Sequence, residues 1–309
     1  MQQFAVVSQQ LFVFAVYVSI GVICVKCKIF NESSLSVLSK FIINVTMPTM
    51  IFCNLLSGPA LGDLLGALPI FAIYLVSFIV LYMLSGLLVR CFNFEEKKAN
   101  IYRALTTFSN AGFMGIPLVL ALFKERGGVF MSLCMIVDQL MLWTLGVKLT
   151  SNAKILTAKS LKKFINPALI SIFVSLLGIA FSVTLPSNLQ VVLKPVGAMT
   201  PALSLIYIGG LFCYSDVKKY FKNVEFYAII LFKMIAFPLA IWLTLRGFAI
   251  PVDIVKTVVL LKALPTMTSI AIFAKTHENF GEYAVAAVLI TTAASLITVP
   301  LVNLLIAFA

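Results

Sequence analysis

One histidine, two tryptophans and eleven acidic residues are spread over 309 positions. With a single imidazole, and six cysteines scattered at 24, 27, 53, 91, 134 and 213, no ligand set with metal-site spacing can be assembled. No metal and no cofactor are therefore expected. Cys24 and Cys27 form a C-x-x-C, but no second pair accompanies them, and they read as small filler at a helix end. Serine–lysine, paired-aspartate and H-E-x-x-H constellations are also missing, so an enzyme is not expected. Charge is scarce: 11% of residues carry it, where a soluble surface needs about 25%. The first lysine is Lys26, after the first apolar run, so that run lacks the basic start of a cleavable leader and is expected to stay.

What is abundant is apolar. Hydrophobic residues make up 61% of the chain, against roughly 45–50% in soluble domains, and the mean hydropathy is +1.09. That suffices for nine or ten membrane spans of ~20 residues. A soluble globule of this size has nowhere to hide so much apolar surface. Soluble enzymes, secreted factors and nucleic-acid binders are excluded. The net charge of +12 is then a topology signal rather than a nucleic-acid footprint.

Charged clusters cut the chain into ten apolar stretches, at 5–25, 35–56, 64–89, 102–123, 128–149, 165–185, 191–213, 225–245, 254–274 and 283–308. None alternates as barrel strands do, so the expected fold is an all-α integral membrane protein of ten transmembrane helices. If the N-terminus faces outside, the inside loops hold Lys26 and Lys28, Arg90 to Arg103, Lys148 to Lys163, Lys218 to Lys222, and Lys275. Those loops carry about 15 basic residues against about 4 outside (Lys124, Arg126, Arg246, Lys256), which orients the chain with both termini outside. Residues 1–150 and 164–309 would each hold five helices, separated by a basic inside linker over 151–163. An odd number of spans per half inverts the second copy, the arrangement common in secondary transporters. Short echoes agree: Lys40 precedes T-M-P at Pro48, and Lys194 precedes M-T-P at Pro201.

The fourth stretch reads Thr106-Thr107-Phe108-Ser109-Asn110-Ala111-Gly112-Phe113-Met114-Gly115-Ile116-Pro117. Pro117 lacks an N–H and crowds the carbonyl four residues back, which predicts an opening near Phe113. Gly112 and Gly115 would permit loose backbone beside Thr107, Ser109 and Asn110. The ninth stretch repeats the theme with Lys262-Ala263-Leu264-Pro265-Thr266-Met267-Thr268-Ser269. Two interrupted helices in corresponding halves point to a transporter's central site, because half-helix N-termini offer unpaired N–H groups and partial positive charge to an anion. A proline kink packed on small residues is the structural alternative at each.

A charge at the bilayer centre costs ~2.5–3.5 kcal/mol on insertion scales, so each buried one needs a partner or a cavity. Lys262 pairs an anionic substrate or bonds unwound carbonyls. Asp138, beside Gln139, is read as the one acid deep in a span: a proton carrier, a cation ligand, or the structural partner of Lys262 or Lys233. Lys233, five residues before Pro238, is read as stabilising freed carbonyls. Lys40 and Lys194 sit near helix ends, where snorkelling accounts for them.

The segments L-S-K-F-I-I-N-V-T-M-P-T-M-I-F (38–52), F-S-N-A-G-F-M-G-I-P-L (108–118) and K-A-L-P-T-M-T-S (262–269) resemble the auxin efflux carrier family, in its compact prokaryotic form. The resemblance implies two inverted five-helix repeats, a fold similar to bile-acid symporters and sodium/proton antiporters. It implies scaffold helices one, two, six and seven, transport helices three to five and eight to ten, and fourth and ninth helices crossing at prolines matching Pro117 and Pro265. It also implies organic-anion substrates, auxin in plants and dicarboxylates such as malate or malonate in bacteria. Plant carriers hold an acid well inside helix three, where this chain has only Asp63 at the start, leaving Asp138 as the nearest substitute.

The expected function is a plasma-membrane carrier for a small carboxylate working by elevator-type alternating access. Asn110, Gly112, Gly115 and Pro117 would hold the carboxylate with Pro265, Thr266 and Thr268 opposite, Lys262 would pair its charge, and Asp138 with Gln139 would couple a proton or sodium ion. The lipid bilayer and the organic anion are the expected partners, nucleic acid is not, and a homodimer fits the related folds. A sodium-coupled symporter on the same fold and a membrane signalling receptor are the rival readings.

Overall fold

A computed structural model describes residues 2–56, 61–151, 167–214 and 216–308. Most of the basic linker, including Lys154 to Lys163, lies outside the described residues. All elements are helical: α1 (Gln2–Lys26), α2 (Glu32–Leu56), α3 (Leu61–Gly66), α4 (Leu68–Phe92), α5 (Glu96–Thr107), α6 (Ala111–Leu122), α7 (Gly127–Ser151), α8 (Pro167–Ala180), α9 (Ser187–Tyr214), α10 (Val224–Leu245), α11 (Val252–Ala263), α12 (Thr268–Thr276) and α13 (Gly281–Phe308). Seven of them (α1, α2, α4, α7, α9, α10 and α13) are long and apolar enough to cross a membrane by length and composition. The remaining three apolar stretches are the fourth, divided into α5 and α6, the ninth, divided into α11 and α12, and the shorter α8.

Prolines leave a regular mark on these helices. In α2, α6 and α10 a wide π-turn (Ile42–Thr46, Ala111–Gly115, Ile230–Ala236) ends two residues before Pro48, Pro117 or Pro238. The residue just before each proline, Met47, Ile116 or Phe237, donates its N–H five residues back, to Ile42, Ala111 and Phe232. The proline has no N–H to give, and its ring would strike the carbonyl four residues back in a regular α-helix. Widening the turn clears that carbonyl without ending the helix. A fourth π-turn, Leu142–Gly146 in α7, has no proline to account for it. Pro117 therefore widens its helix rather than opening it. The opening expected near Phe113 lies upstream, at Phe108 to Asn110, and Gly112 and Gly115 are in helical turns without positive φ.

Helices α1, α2, α8 and α9 pack on one another. The α1–α9 contact depends on glycines. A Cβ at Gly21 would strike the Ile206 carbonyl oxygen, and one at Gly209 would strike the Val18 carbonyl oxygen. Gly197 of α9 meets the backbone of Met50 in α2 in the same way, its absent Cβ 2.8 Å from Cα. Between helices in lipid there is no water to expel, so close backbone approach supplies dispersion energy that larger residues would forfeit. Two ion pairs join the halves of the chain elsewhere, Lys98 with Glu225 at 3.0 Å and Arg126 with Asp253 at 2.9 Å. Replacing Gly209 by valine forces this contact apart; unfolding in detergent is expected to show a loss of about 3 kcal/mol, the upper range for overpacking, whereas Gly62→Val, at a position open on all sides, leaves stability within about 0.5 kcal/mol.

Candidate functional site

The two breaks meet. Ser109 and Thr266 form an antiparallel bridge, the Asn110 N–H donates to the Pro265 carbonyl at 2.9 Å, and the Met267 N–H donates to the Phe108 carbonyl at 3.0 Å. Each interrupted helix thus supplies the backbone partners that the other one needs. Side chains complete the accounting. The Thr266 hydroxyl donates to the Leu105 carbonyl at 2.9 Å, and the Thr266 N–H donates to the Thr291 hydroxyl oxygen at 3.2 Å. Lys233, fully buried in the π-turn of α10, donates its ammonium to the Phe108 carbonyl at 3.1 Å. The expected role of Lys233 was freed carbonyls in general; the carbonyl it takes belongs to the first break, not to its own helix.

Beyond the crossing, α6 and α12 begin with no side-chain cap. In their first turns the Ala111 N–H donates to the Ser109 carbonyl at 2.8 Å and the Ile270 N–H to the Met267 carbonyl at 3.1 Å, and the two helix dipoles present positive ends there. The surroundings are buried: Thr107, Ser109, Asn110 and Thr268 expose 2% or less. Asn110 donates Nδ2 to the Thr268 hydroxyl oxygen at 3.3 Å. The Thr107 and Ser109 hydroxyls and Asn110 Oδ1 have no protein partner in the described structure. Buried polar groups are nearly always satisfied, so such a cluster is a place where a ligand or water completes the bonding.

The residues singled out from the sequence divide into two sets. Asn110, Pro265, Thr266 and Thr268 are brought together at the crossing. Gly115 is a packing position instead: a Cβ there would lie 2.6 Å from Leu261 Cδ2 and 3.1 Å from Leu264 Cδ1, so its absence seats α11 against α6. Gly112 faces Met135 with ordinary clearance. Pro117 lines a cavity of about 570 Å³ rather than the crossing itself.

Lys262 and Asp138 are joined through a residue the sequence reading passed over. The Tyr74 hydroxyl donates to Asp138 Oδ1 at 2.9 Å, and the Lys262 ammonium lies over the Tyr74 ring, 3.7 Å from its centroid, with Phe78 at 5.2 Å. A tyrosine holding an acid at one end and a cation on its face links two buried charges without direct contact. Asp138 Oδ2 and Gln139 Oε1 are buried and have no hydrogen-bond partner among the described residues. Tyr74 was findable, since a phenol inside a span needs an acceptor and Asp138 is the acid at depth. Glu225 was also overlooked: it is mostly buried at the start of α10, held by Lys98, and it accepts from the Tyr283 hydroxyl at 3.4 Å.

A family model described as membrane transport protein matches residues 5–303, nearly the whole chain. The chain belongs to the auxin efflux carrier family. No curated protein matches the sequence. Membership makes this a multi-pass membrane transporter, and the seven long apolar helices agree with it. The bridge between the breaks is therefore the part of a membrane transporter where irregular backbone is kept inside protein.

Tyr74→Phe leaves Asp138 Oδ1 buried without its donor. It is expected to lower the unfolding free energy in detergent by about 1–3 kcal/mol, and by clearly less in an Asp138→Leu background, where the acceptor is gone.

Proposed function

We propose that this transporter is a carrier for a small organic anion bearing a carboxylate, held at the crossing of the two broken helices. The observation that carries the reading is the pairing of two uncapped helix starts on a buried, antiparallel bridge, with hydroxyls of Thr107 and Ser109 unspent beside it. Converging N–H groups and hydroxyl donors suit a carboxylate, which accepts bonds and donates none. Asn110 would orient it, and Lys262 would pair its charge. The glycines and Pro117 serve the shape of the site, not contact with the substrate.

On this reading the chain spans the bilayer ten times as two inverted five-helix repeats, 1–150 and 164–309, with α5–α6 and α11–α12 as the crossing pair. The helices α1, α2, α8 and α9 act as scaffold, and the remainder moves against them as an elevator. The loop charges put both termini outside a plasma membrane. The membrane potential drives an exported anion with roughly 2.3 kcal/mol per charge per 100 mV, so efflux needs no coupling ion. Asp138, with one oxygen held by Tyr74 and the other without a hydrogen-bond partner among the described residues, is the candidate proton or cation carrier if the protein also works uphill.

Thermal unfolding of the purified protein is expected to rise by several degrees with one or more members of a series of mono- and dicarboxylates. Asn110→Ala abolishes that response. A wild type indifferent to the whole series, or an Asn110→Ala variant with the wild-type response, refutes the site.

Asp138→Asn keeps ligand stabilisation and removes the dependence of flux on a pH gradient across proteoliposomes. A sodium-dependent flux that persists in that variant assigns coupling to another residue.

A further inference from the structure

Two cavities lie at opposite ends of α2, α7 and α9. The first, about 570 Å³, is bounded by the C-terminal part of α2, the start of α7 and the first part of α9. The second, about 590 Å³, is bounded by the N-terminal part of α2, the end of α7 and the last part of α9. Both fall in the size range of small-molecule sites. Each also reaches one half-helix that begins at the crossing: Ile116 and Pro117 of α6 line the first, and Phe273, Lys275 and Thr276 of α12 line the second. The crossing residues Ser109, Asn110, Pro265 and Thr266 line neither.

Each chamber carries one lysine from α2 or α9. Lys194 lines the first and Lys40 the second, and both are exposed. Neither takes part in an ion pair among the described residues. They occupy matching places, Lys40 before Pro48 and Lys194 before Pro201. Amides and hydroxyls stand with them, Asn54 and Ser132 in the first chamber, Asn44 and Ser39 in the second. The first chamber has no acidic lining residue; in the second, Glu32 is outnumbered by Lys40 and Lys275. Snorkelling explains a lysine near a helix end, but not why each lines a chamber that touches a half-helix of the crossing.

We infer that Lys194 and Lys40 are anion-capture residues, one for each chamber, which draw a small carboxylate from its own side toward the crossing. The inference rests on the proposed carboxylate function and adds residues to its path. An ammonium on a long, flexible stem is a compact point charge without the fixed fork of arginine. At an exposed position its attraction is weakened by water, so it concentrates the anion without trapping it.

The test uses the full chain, freed of its native cysteines, with single reporters Asn54→Cys in the first chamber and Asn44→Cys in the second. The ratio of labelling rates by anionic sulfonatoethyl and cationic trimethylammonioethyl methanethiosulfonate reads the local potential. Lys194→Gln is expected to lower that ratio roughly three- to tenfold at the first reporter only, and Lys40→Gln at the second only. In sided proteoliposomes, Lys194→Gln raises the half-saturation concentration for radiolabelled malonate at least fivefold from the first chamber's side, and Lys40→Gln does so from the other. Ratios and half-saturation unchanged by both substitutions overturn the inference and leave the carboxylate function standing. Lysine-dependent ratios in a protein that moves no carboxylate uphold the capture residues and overturn the function.

Discussion

The structure depends on a backbone that must bond to itself where water is absent. An interrupted helix in lipid leaves carbonyl and N–H groups open, each costing several kcal/mol if unmet. Here the interruption at Phe108 to Asn110 and the one at Leu264 to Met267 discharge that cost on each other, through two backbone bonds around the Ser109–Thr266 bridge. Either break alone would be a defect. Together they make a short antiparallel bridge inside a helical protein.

The buried charges serve the same junction. The Phe108 carbonyl accepts from both the Met267 N–H and the Lys233 ammonium, so one cation is anchored on the loosened backbone itself. The second cation, Lys262, sits one turn before the other break and rests on Tyr74, whose hydroxyl holds Asp138. The phenol thus joins helices α4, α7 and α11. Breaking a buried charge arrangement by removing one partner is far more damaging than its net contribution suggests.

How much of this was legible follows from which forces act locally. Apolar run length is a property of the chain alone, and it exposed the seven long apolar helices. It also exposed the fourth and ninth stretches as special, because proline and polar residues at mid-depth conflict with a continuous rod. The position of the break was misread, since Pro117 acts through a π-turn within its own helix while the break at Asn110 is stabilised by Pro265, over a hundred residues away. Gly115 misled for a related reason: a glycine that permits loose backbone and one that seats a neighbouring leucine look alike until Leu261 is in place. Tyr74 and Thr291 are ordinary members of apolar runs whose roles exist only across helices.

These constraints bear on how the proposed carrier moves. The crossing is tied by backbone bonds, by Thr266 to both Leu105 and Thr291, and by Lys233, so parting the two breaks would expose several polar groups at once. The α1–α9 contact is equally unyielding, because glycine there lets backbone touch backbone. What lies between these two rigid bodies is different in kind: two chambers, one at each end, lined largely by side chains that slide more readily than hydrogen bonds break. In the proposed elevator, displacement along that boundary would open one chamber to the crossing as it closed the other, and would leave the paired breaks intact. The proposed elevator would spare the hydrogen bonds that tie the two breaks together.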